Sequence, residues 1–210
     1  MRGMVSQSNF FPWRGYFASL RLVECLVFYD SQQFTRRDWR NRNILYRKSD
    51  PFWISLPVRT KGEYLAPINQ IKVVDSSSIE GVQRKFREAY RDFSNGNGFQ
   101  FVENLLAECR RFQFLSEINH YTTTEISKYL DIKCSFSADT ALSLVGNRNQ
   151  KLVDVCSYFG ITHYYSGPKA LQYLNKWSFE EKSISINILN YAELRIISLS
   201  VEPSILHWLA

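Results

Sequence analysis

The sequence has no Cys-x-x-Cys pair, no apolar run of roughly 18 residues and no phosphate-binding glycine loop, and each absence removes a class of protein. Cys25, Cys109, Cys134 and Cys156 stand far apart within apolar or periodic segments. That placement favours buried free thiols in a reducing compartment over a disulfide framework or a zinc site. Because no apolar run is long enough to span a bilayer, and Met1-Arg-Gly-Met leads into polar residues without a signal-peptide core, the chain is expected to be cytoplasmic. A Gly-x-Ser-x-Gly elbow, a Walker loop, a complete dinucleotide fingerprint and a His-Glu-x-x-His pair are all missing, so the common hydrolase, NTPase, dehydrogenase and zincin readings lack their main parts. No metal ligand set is recognisable and no cofactor is indicated. Repeats, low-complexity tracts and linkers are absent as well.

What is present is an ordinary globular composition. At 210 residues, 45% hydrophobic and 22% charged, the chain is long enough for one domain with a core that needs no disulfide or metal support. The net charge is +6, and the excess is local. Arg36, Arg37, Arg40, Arg42, Arg47 and Lys48 fall close together against Asp38 alone. Such a loop either clamps phosphate through paired guanidinium hydrogen bonds or is a solvated basic surface.

The densest polar chemistry lies in the first fifth. A short strand over Met4 to Ser6 leads into a loop containing Pro12 and Gly15, followed by a helical pattern from Tyr16 to Cys25. The run Cys25-Leu-Val-Phe-Tyr is apolar on consecutive positions, as in a strand covered on both faces, and it ends in Asp30. Asp30 would then emerge at the carboxyl end of a strand, where open α/β sheets bind ligands. Downstream, Trp53 to Val58 and Ile68 to Val74 read as strands that can form a hairpin, and helices are expected from Ser76–Ser78 to Tyr90, over Phe99–Phe112, over Leu115–Leu130 and over Gln150–Phe159. Strands are expected at Asp131–Phe136, Ile161–Tyr165 and Ser183–Ile188, the last near a sheet edge, and Pro203-Ser204 opens a final helix. The alternation predicts an α/β fold: one domain, with a mostly parallel or mixed central sheet flanked by helices.

Candidate site residues follow from this layout. Asp30 is the leading carboxylate for orienting or deprotonating an acceptor, and His163 is a second candidate base. Gln7, Asn9, Gln33, Asn41 and Asn43 offer amides suited to sugar hydroxyls. Trp13, Tyr16 and Trp39 offer flat faces for a ring, beside Pro12 and Gly15, although any one of these aromatics can equally be a core anchor. Arg36, Arg37 and Arg42 are candidates to hold phosphate. Ser166-Gly167-Pro168, between a strand and an expected helix, is either a second anion site or an ordinary βα turn. His120 has no second histidine three or four residues away and reads as a satisfied polar neighbour.

Several of these segments, in order, carry a family resemblance. Gln7-x-Asn-Phe-Phe-Pro-Trp-x-Gly-Tyr-Phe17, Asp30-x-x-Gln33-Phe with Arg36, Arg37, Trp39 and Asn41-Arg-Asn43, and Trp53-Ile-Ser-Leu-Pro-Val58 resemble the WbqC-like proteins of bacteria. Leu115-Ser-Glu-Ile-Asn119, Lys151-Leu-Val-Asp-Val-Cys156, Tyr165-Ser-Gly-Pro168 with Tyr173, and Pro203-Ser-Ile-Leu206 extend the match over nearly the whole chain. The sequence departs from the family pattern at Ser8, where proline is common, at Ser31, where a second aspartate often follows, and at His207, where aspartate is usual.

The resemblance implies a role beside O-antigen and other surface-polysaccharide genes, with transfer of a glycine-like aminoacyl or acyl group to a sugar. The expected partners are a nucleotide-linked or lipid-linked sugar, an unidentified acyl donor and other glycan-biosynthesis proteins. Two other readings stand beside it: a non-catalytic module that binds a nucleotide sugar or a glycosyltransferase, and a protein that binds tRNA or other nucleic acid through its basic loop. The layout of the first strand, loop, helix and second strand also resembles nucleotidyl-transferring folds, whose paired histidines are missing around Arg14 to Phe17.

Overall fold

Strands that are apolar on consecutive residues need cover on both faces, and the fold supplies it with helices on each side of a parallel sheet. The structure, a computed structural model, describes residues 1–63, 65–194 and 201–210. β1 (Arg2–Ser6) leads through α1 (Arg14–Leu20) to β2 (Cys25–Phe28). A hairpin of β3 (Arg42–Arg47) and β4 (Asp50–Ser55) follows, then α2 (Ser77–Ala89), α3 (Asn97–Glu108) and α4 (Leu115–Tyr129). The chain re-enters the sheet as β5 (Ser135–Ala138) and continues through α5 (Arg148–Tyr158), β6 (His163–Ser166), α6 (Lys176–Glu180) and β7 (Ser185–Ile188) to α7 (Leu206–Leu209).

Among the described residues the main sheet runs in the order β5-β2-β1-β6-β7, with every pair parallel. Side chains alternate across it. Met4, Leu26 and Phe28 enter one core with Phe17 and Leu20 of α1, Phe86 of α2, Leu106 of α3 and Ile118 of α4. Val5, Cys25 and Val27 enter the other with Val153 and Cys156 of α5 and Phe179 of α6. The chain therefore winds over one face on leaving β1 and over the opposite face on reaching β6. At the carboxyl ends of β1 and β6 the connections diverge and leave a gap, the position at which doubly wound sheets bind ligands.

The expected hairpin is corrected. Asp50–Ser55 pairs with Arg42–Arg47, so half of the basic stretch is a strand. Lys48 makes the tight turn at φ 55°, a conformation with no glycine or asparagine to announce it in the sequence. Ile68–Gln70 is a single 3-10 turn, and the segment after it makes only isolated bridges, Val58 with Val73 and Lys72 with Phe114. The helix expected after Ser166-Gly167 is the 3-10 turn Pro168–Gln172. β7 does lie at a sheet edge, parallel to β6. No helix of the described residues is long and apolar enough to cross a membrane. Cys25, Cys109 and Cys156 are buried and Cys134 half-buried, all of them free thiols, and burial pushes the thiols of Cys109, Cys134 and Cys156 up to about 12.

The β1–α1 loop is held in an uncommon shape. Phe11 is fully buried yet sits at φ 45°, a left-handed conformation that a bulky residue adopts only under constraint. The constraint comes from β3 and the C-terminal segment: Asn43 Nδ2 donates to the carbonyls of Phe10 (3.1 Å) and Phe11 (2.8 Å), and Ser204 Oγ donates to Phe11 O at 2.8 Å. Replacing Asn43 with Ala strands the Phe10 carbonyl and takes one of two donors from Phe11 O, which keeps Ser204, so we expect a loss of about 2–3 kcal/mol. In a chain of this size that lowers the midpoint of thermal unfolding by roughly 5–10 °C, readable by calorimetry. A midpoint unchanged from wild type would show that Asn43 does not hold the loop.

Candidate functional site

Asp30 lies two residues past β2 with no exposed surface, and a carboxylate so placed needs donors. It has two. The Ser8 backbone N–H donates to Oδ1 at 2.8 Å, and His120 Nε2 lies 2.7 Å from Oδ2. Proline at position 8 makes the first bond impossible, so the departure at Ser8 gives this chain an extra donor on Asp30. Ser8 Oγ in turn accepts from Asn119 Nδ2 at 3.1 Å, one residue before His120 on α4.

His120 is positioned like a base. Its ring stacks on Phe28 of β2, with centroids 3.9 Å apart and planes 10° from parallel. Nε2 is committed to Asp30, while Nδ1 makes no hydrogen bond among the described residues and the side chain is 25% exposed. A buried carboxylate that fixes an imidazole and leaves its second nitrogen free is the orienting half of a catalytic triad. Sequence reading passed over His120 because the two partners are separated by 90 positions.

A second carboxylate joins from the 3-10 turn Asp139–Ala141 that follows β5. Asp139, fully buried, accepts from the backbone N–H of Asp30 at 3.0 Å and of Ser31 at 3.2 Å, and from the Ser31 hydroxyl. Burial raises its pKa. Where the family often has a second aspartate at position 31, this chain brings a carboxylate to the Ser31 backbone and hydroxyl from the turn after β5. At the third departure, His207 Nδ1 lies 2.8 Å from the Tyr90 hydroxyl, remote from Asp30 in the fold, between α2 and α7.

Arg40 is the cation at the centre of the site. Nη1 reaches the carbonyls of Gln7 and Ser8, each at 3.2 Å, and Asn9 Oδ1 at 2.5 Å, while Nη2 pairs with Asp38 at 3.5 Å. Burial lowers its pKa, opposed by the carboxylates of Asp38 and Asp30. Gln7 and Arg40 face a crevice of about 630 Å³, whereas Asn9 and Trp39 face a second cavity of about 430 Å³. The Gln7–Asn9 segment with its Arg40 clamp is thus the wall between them.

The larger crevice opens at the carboxyl ends of β1 and β6. Ser6, Gln7, Tyr29, Gln33, Ser166 and Gly167 line it together with Arg40, Arg148, Lys151 and Lys169. The smaller cavity is aromatic, walled by Pro12, Trp13, Tyr16 and Trp39 with Asn9, Asn43 and Glu202. Trp13 packs edge-on to Tyr191, and Gly15 makes room for it, since a Cβ there would lie 2.2 Å from the indole. The Tyr16 hydroxyl is buried without a partner among the described residues, and its pKa is raised by burial and then by the charge of Asp30.

The sequence-derived candidates thus divide. Gln7, Gln33, Ser166 and Gly167 line the larger crevice, and Asn9, Pro12, Trp13, Tyr16, Trp39 and Asn43 the smaller. Asn41 spends its amide on Leu56 O at 2.9 Å. Arg42 lies over the Trp53 ring at 4.2 Å and donates to Arg37 O, and neither Arg37 nor Arg42 lines either cavity. Arg36 donates to Thr60 O at 2.9 Å from an exposed position. His163 sits at the amino end of β6, paired in register with Arg2, because β6 runs parallel to β1. The structure therefore brings Asp30 together with His120, at the opposite end of the sheet from His163. The cations that line the crevice are Arg40, Arg148, Lys151 and Lys169, of which the basic stretch supplied one.

Comparison with known proteins covers most of the chain. The model of the WbqC-like protein family matches residues 7–195, which span the wall, the dyad and the crevice. An uncharacterized protein of Mycobacterium tuberculosis is 30% identical over 190 residues, covering 89% of this chain and 81% of that protein. No solved structure matches the chain.

Removing the guanidinium in Arg40→Met leaves the Gln7 and Ser8 carbonyls and the Asn9 amide short of a donor. A loss of about 3 kcal/mol is expected in urea unfolding, since hydrogen bonds to charged groups contribute about 1.5–3 kcal/mol each and not all are lost to water. A variant as stable as wild type would show that the wall stands without its clamp.

Proposed function

The chain belongs to the WbqC-like protein family, and from that premise we propose that it is a group-transfer enzyme of bacterial surface-polysaccharide assembly. It passes an acyl or glycine-like aminoacyl group to a sugar carried on a phosphorylated ligand. The observation that carries this reading is the Asp30–His120 pair, 2.7 Å apart and anchored to the same loop that walls the basic crevice.

In this mechanism the phosphorylated ligand lies in the larger crevice, and the sugar reaches past Gln7 towards His120. With Nε2–H given to Asp30, Nδ1 holds the lone pair and takes the proton from the attacking hydroxyl or amine. The new bond forms between that oxygen or nitrogen and the carbonyl carbon of an activated ester or thioester donor. The bond from the carbonyl carbon to the donor's oxygen or sulfur breaks, and His120 returns the proton to that leaving atom. Asp30 stabilises the transient imidazolium without taking its proton. Orientation of both reactants supplies the rest of the acceleration.

General acid–base groups contribute roughly 100- to 10,000-fold to a rate, so His120→Gln should abolish the modification while the protein still folds. The test is the mass of the surface glycan from a source strain lacking this gene and complemented with the variant. A glycan short of the acyl or aminoacyl mass, with wild-type protein levels, is the expected result. A fully modified glycan would remove His120 from the chemistry.

A further inference from the structure

We propose that the larger crevice is a pyrophosphate site, formed by Arg148 and Lys151 of α5 on one wall, Lys169 on the other and the Tyr29 hydroxyl at its floor. This deepens the reading above, on which it rests for the presence of a phosphorylated ligand, by naming the group the crevice recognises.

The first argument is charge. Arg148, Lys151 and Lys169 all line the crevice, and among the described residues none has a carboxylate partner. Arg148 is held instead over the face of Tyr173, 3.7 Å from its centroid, which fixes the guanidinium without neutralising it. Arg40, in contrast, is already engaged by Asp38 and three backbone and side-chain oxygens. Three uncompensated cations exceed what one phosphate group needs and match the two to three negative charges of a pyrophosphate.

The second is an orphaned donor. Tyr29 is 9% exposed, and its hydroxyl is buried with no hydrogen-bond partner among the described residues although the residue lines the crevice. Burial, reinforced by the charge of Asp139, pushes its pKa up to about 12, so it carries its proton throughout the physiological range and offers it to an acceptor. Buried polar groups without partners are rare in native proteins, and an anionic oxygen in the crevice completes this one.

The third is placement. Arg148 and Lys151 stand three residues apart in the first turns of α5, hence neighbours on one helix face, about 5–6 Å apart at Cβ. Lys169 follows Ser166-Gly167 across the gap where the connections from β1 and to β6 diverge. The cations thus straddle the opening. A volume of about 630 Å³ leaves room for the group esterified to the pyrophosphate.

Either a nucleoside diphosphate or a lipid pyrophosphate presents this chemistry, and titration calorimetry on the full chain separates them. The probes are orthophosphate, pyrophosphate, UDP and geranyl pyrophosphate at one ionic strength. We expect pyrophosphate to bind at least about 10-fold more tightly than orthophosphate. The Arg148→Ala/Lys151→Ala double variant should lose about 10-fold or more of that affinity, and Tyr29→Phe a smaller part with its unfolding midpoint retained. Tighter binding of UDP than of pyrophosphate supports the site and assigns a nucleotide. Tighter binding of geranyl pyrophosphate supports it and assigns a lipid carrier. Equal affinity for orthophosphate and pyrophosphate, or affinity indifferent to both variants, overturns the proposal. Pyrophosphate binding alongside a fully modified glycan in His120→Gln would sink the transfer reading and leave the site standing, and the reverse pair of results would do the opposite.

Discussion

A carboxylate with no access to water has to be met by the protein, and the way Asp30 is met organises this molecule. Its two donors come from the β1 loop and from α4, elements that are distant in sequence and that pack on the same face of the sheet. Satisfying one buried charge therefore fixes where the Gln7–Asn9 segment lies and which way His120 points. Arg40 closes the arrangement from the other side by donating to three oxygens of that segment. Asn119 ties Ser8 Oγ to Arg40 O, so α4 and the basic stretch are held by adjacent bonds on one amide. Hydrogen bonds shared in this way hold the groups they join in place, which a positioned base requires, and Arg40 Nε and Asn119 Oδ1 are atoms of the network left without a partner among the described residues.

The sheet topology supplies the other half of the account. Connections from β1 and to β6 lie on opposite faces, and of the four cations that line the gap they leave, Arg148, Lys151 and Lys169 have no carboxylate partner among the described residues. The wall made by Gln7, Ser8 and Asn9 separates this basic crevice from an aromatic cavity, so a single loop addresses a polar space on one side and an apolar space on the other. Strain at Phe11 is stored in that same loop and restrained by Asn43 and Ser204. The conformation is one the local sequence does not favour, and it persists because bonds from two other segments hold it.

The parallel sheet and its helices were legible because they are written locally. Consecutive apolar residues in Cys25 to Tyr29, and the helical spacing of Ile79, Val82 and Phe86, each point to burial without reference to the rest of the chain. The hairpin was not, since its turn at Lys48 lacks the usual glycine or asparagine, and the charges of Arg42 and Arg47 concealed the buried Asn43, Ile44 and Leu45 between them. Asp30 was legible from its place at a strand end. His120, Asp139 and Arg148 were not, because what distinguishes each is a neighbour 90 or more residues away or a cavity formed by several elements, and no spacing rule encodes either. Family likeness over nearly the whole chain located the region of interest without showing which of its polar residues are spent on the loop's own carbonyls.

The central claim is that the basic crevice and the Asp30–His120 pair form one site, and imidazole nitrogen NMR tests it directly. With His120 resonances assigned by comparison with His120→Gln, a pyrophosphate-bearing ligand such as UDP-glucose is titrated into the full chain. The account predicts that His120 Nδ1 shifts in step with saturation, while His163, at the other end of the sheet, stays where it was. Saturable binding that leaves the His120 nitrogens unmoved would contradict it, and would separate the crevice from the dyad.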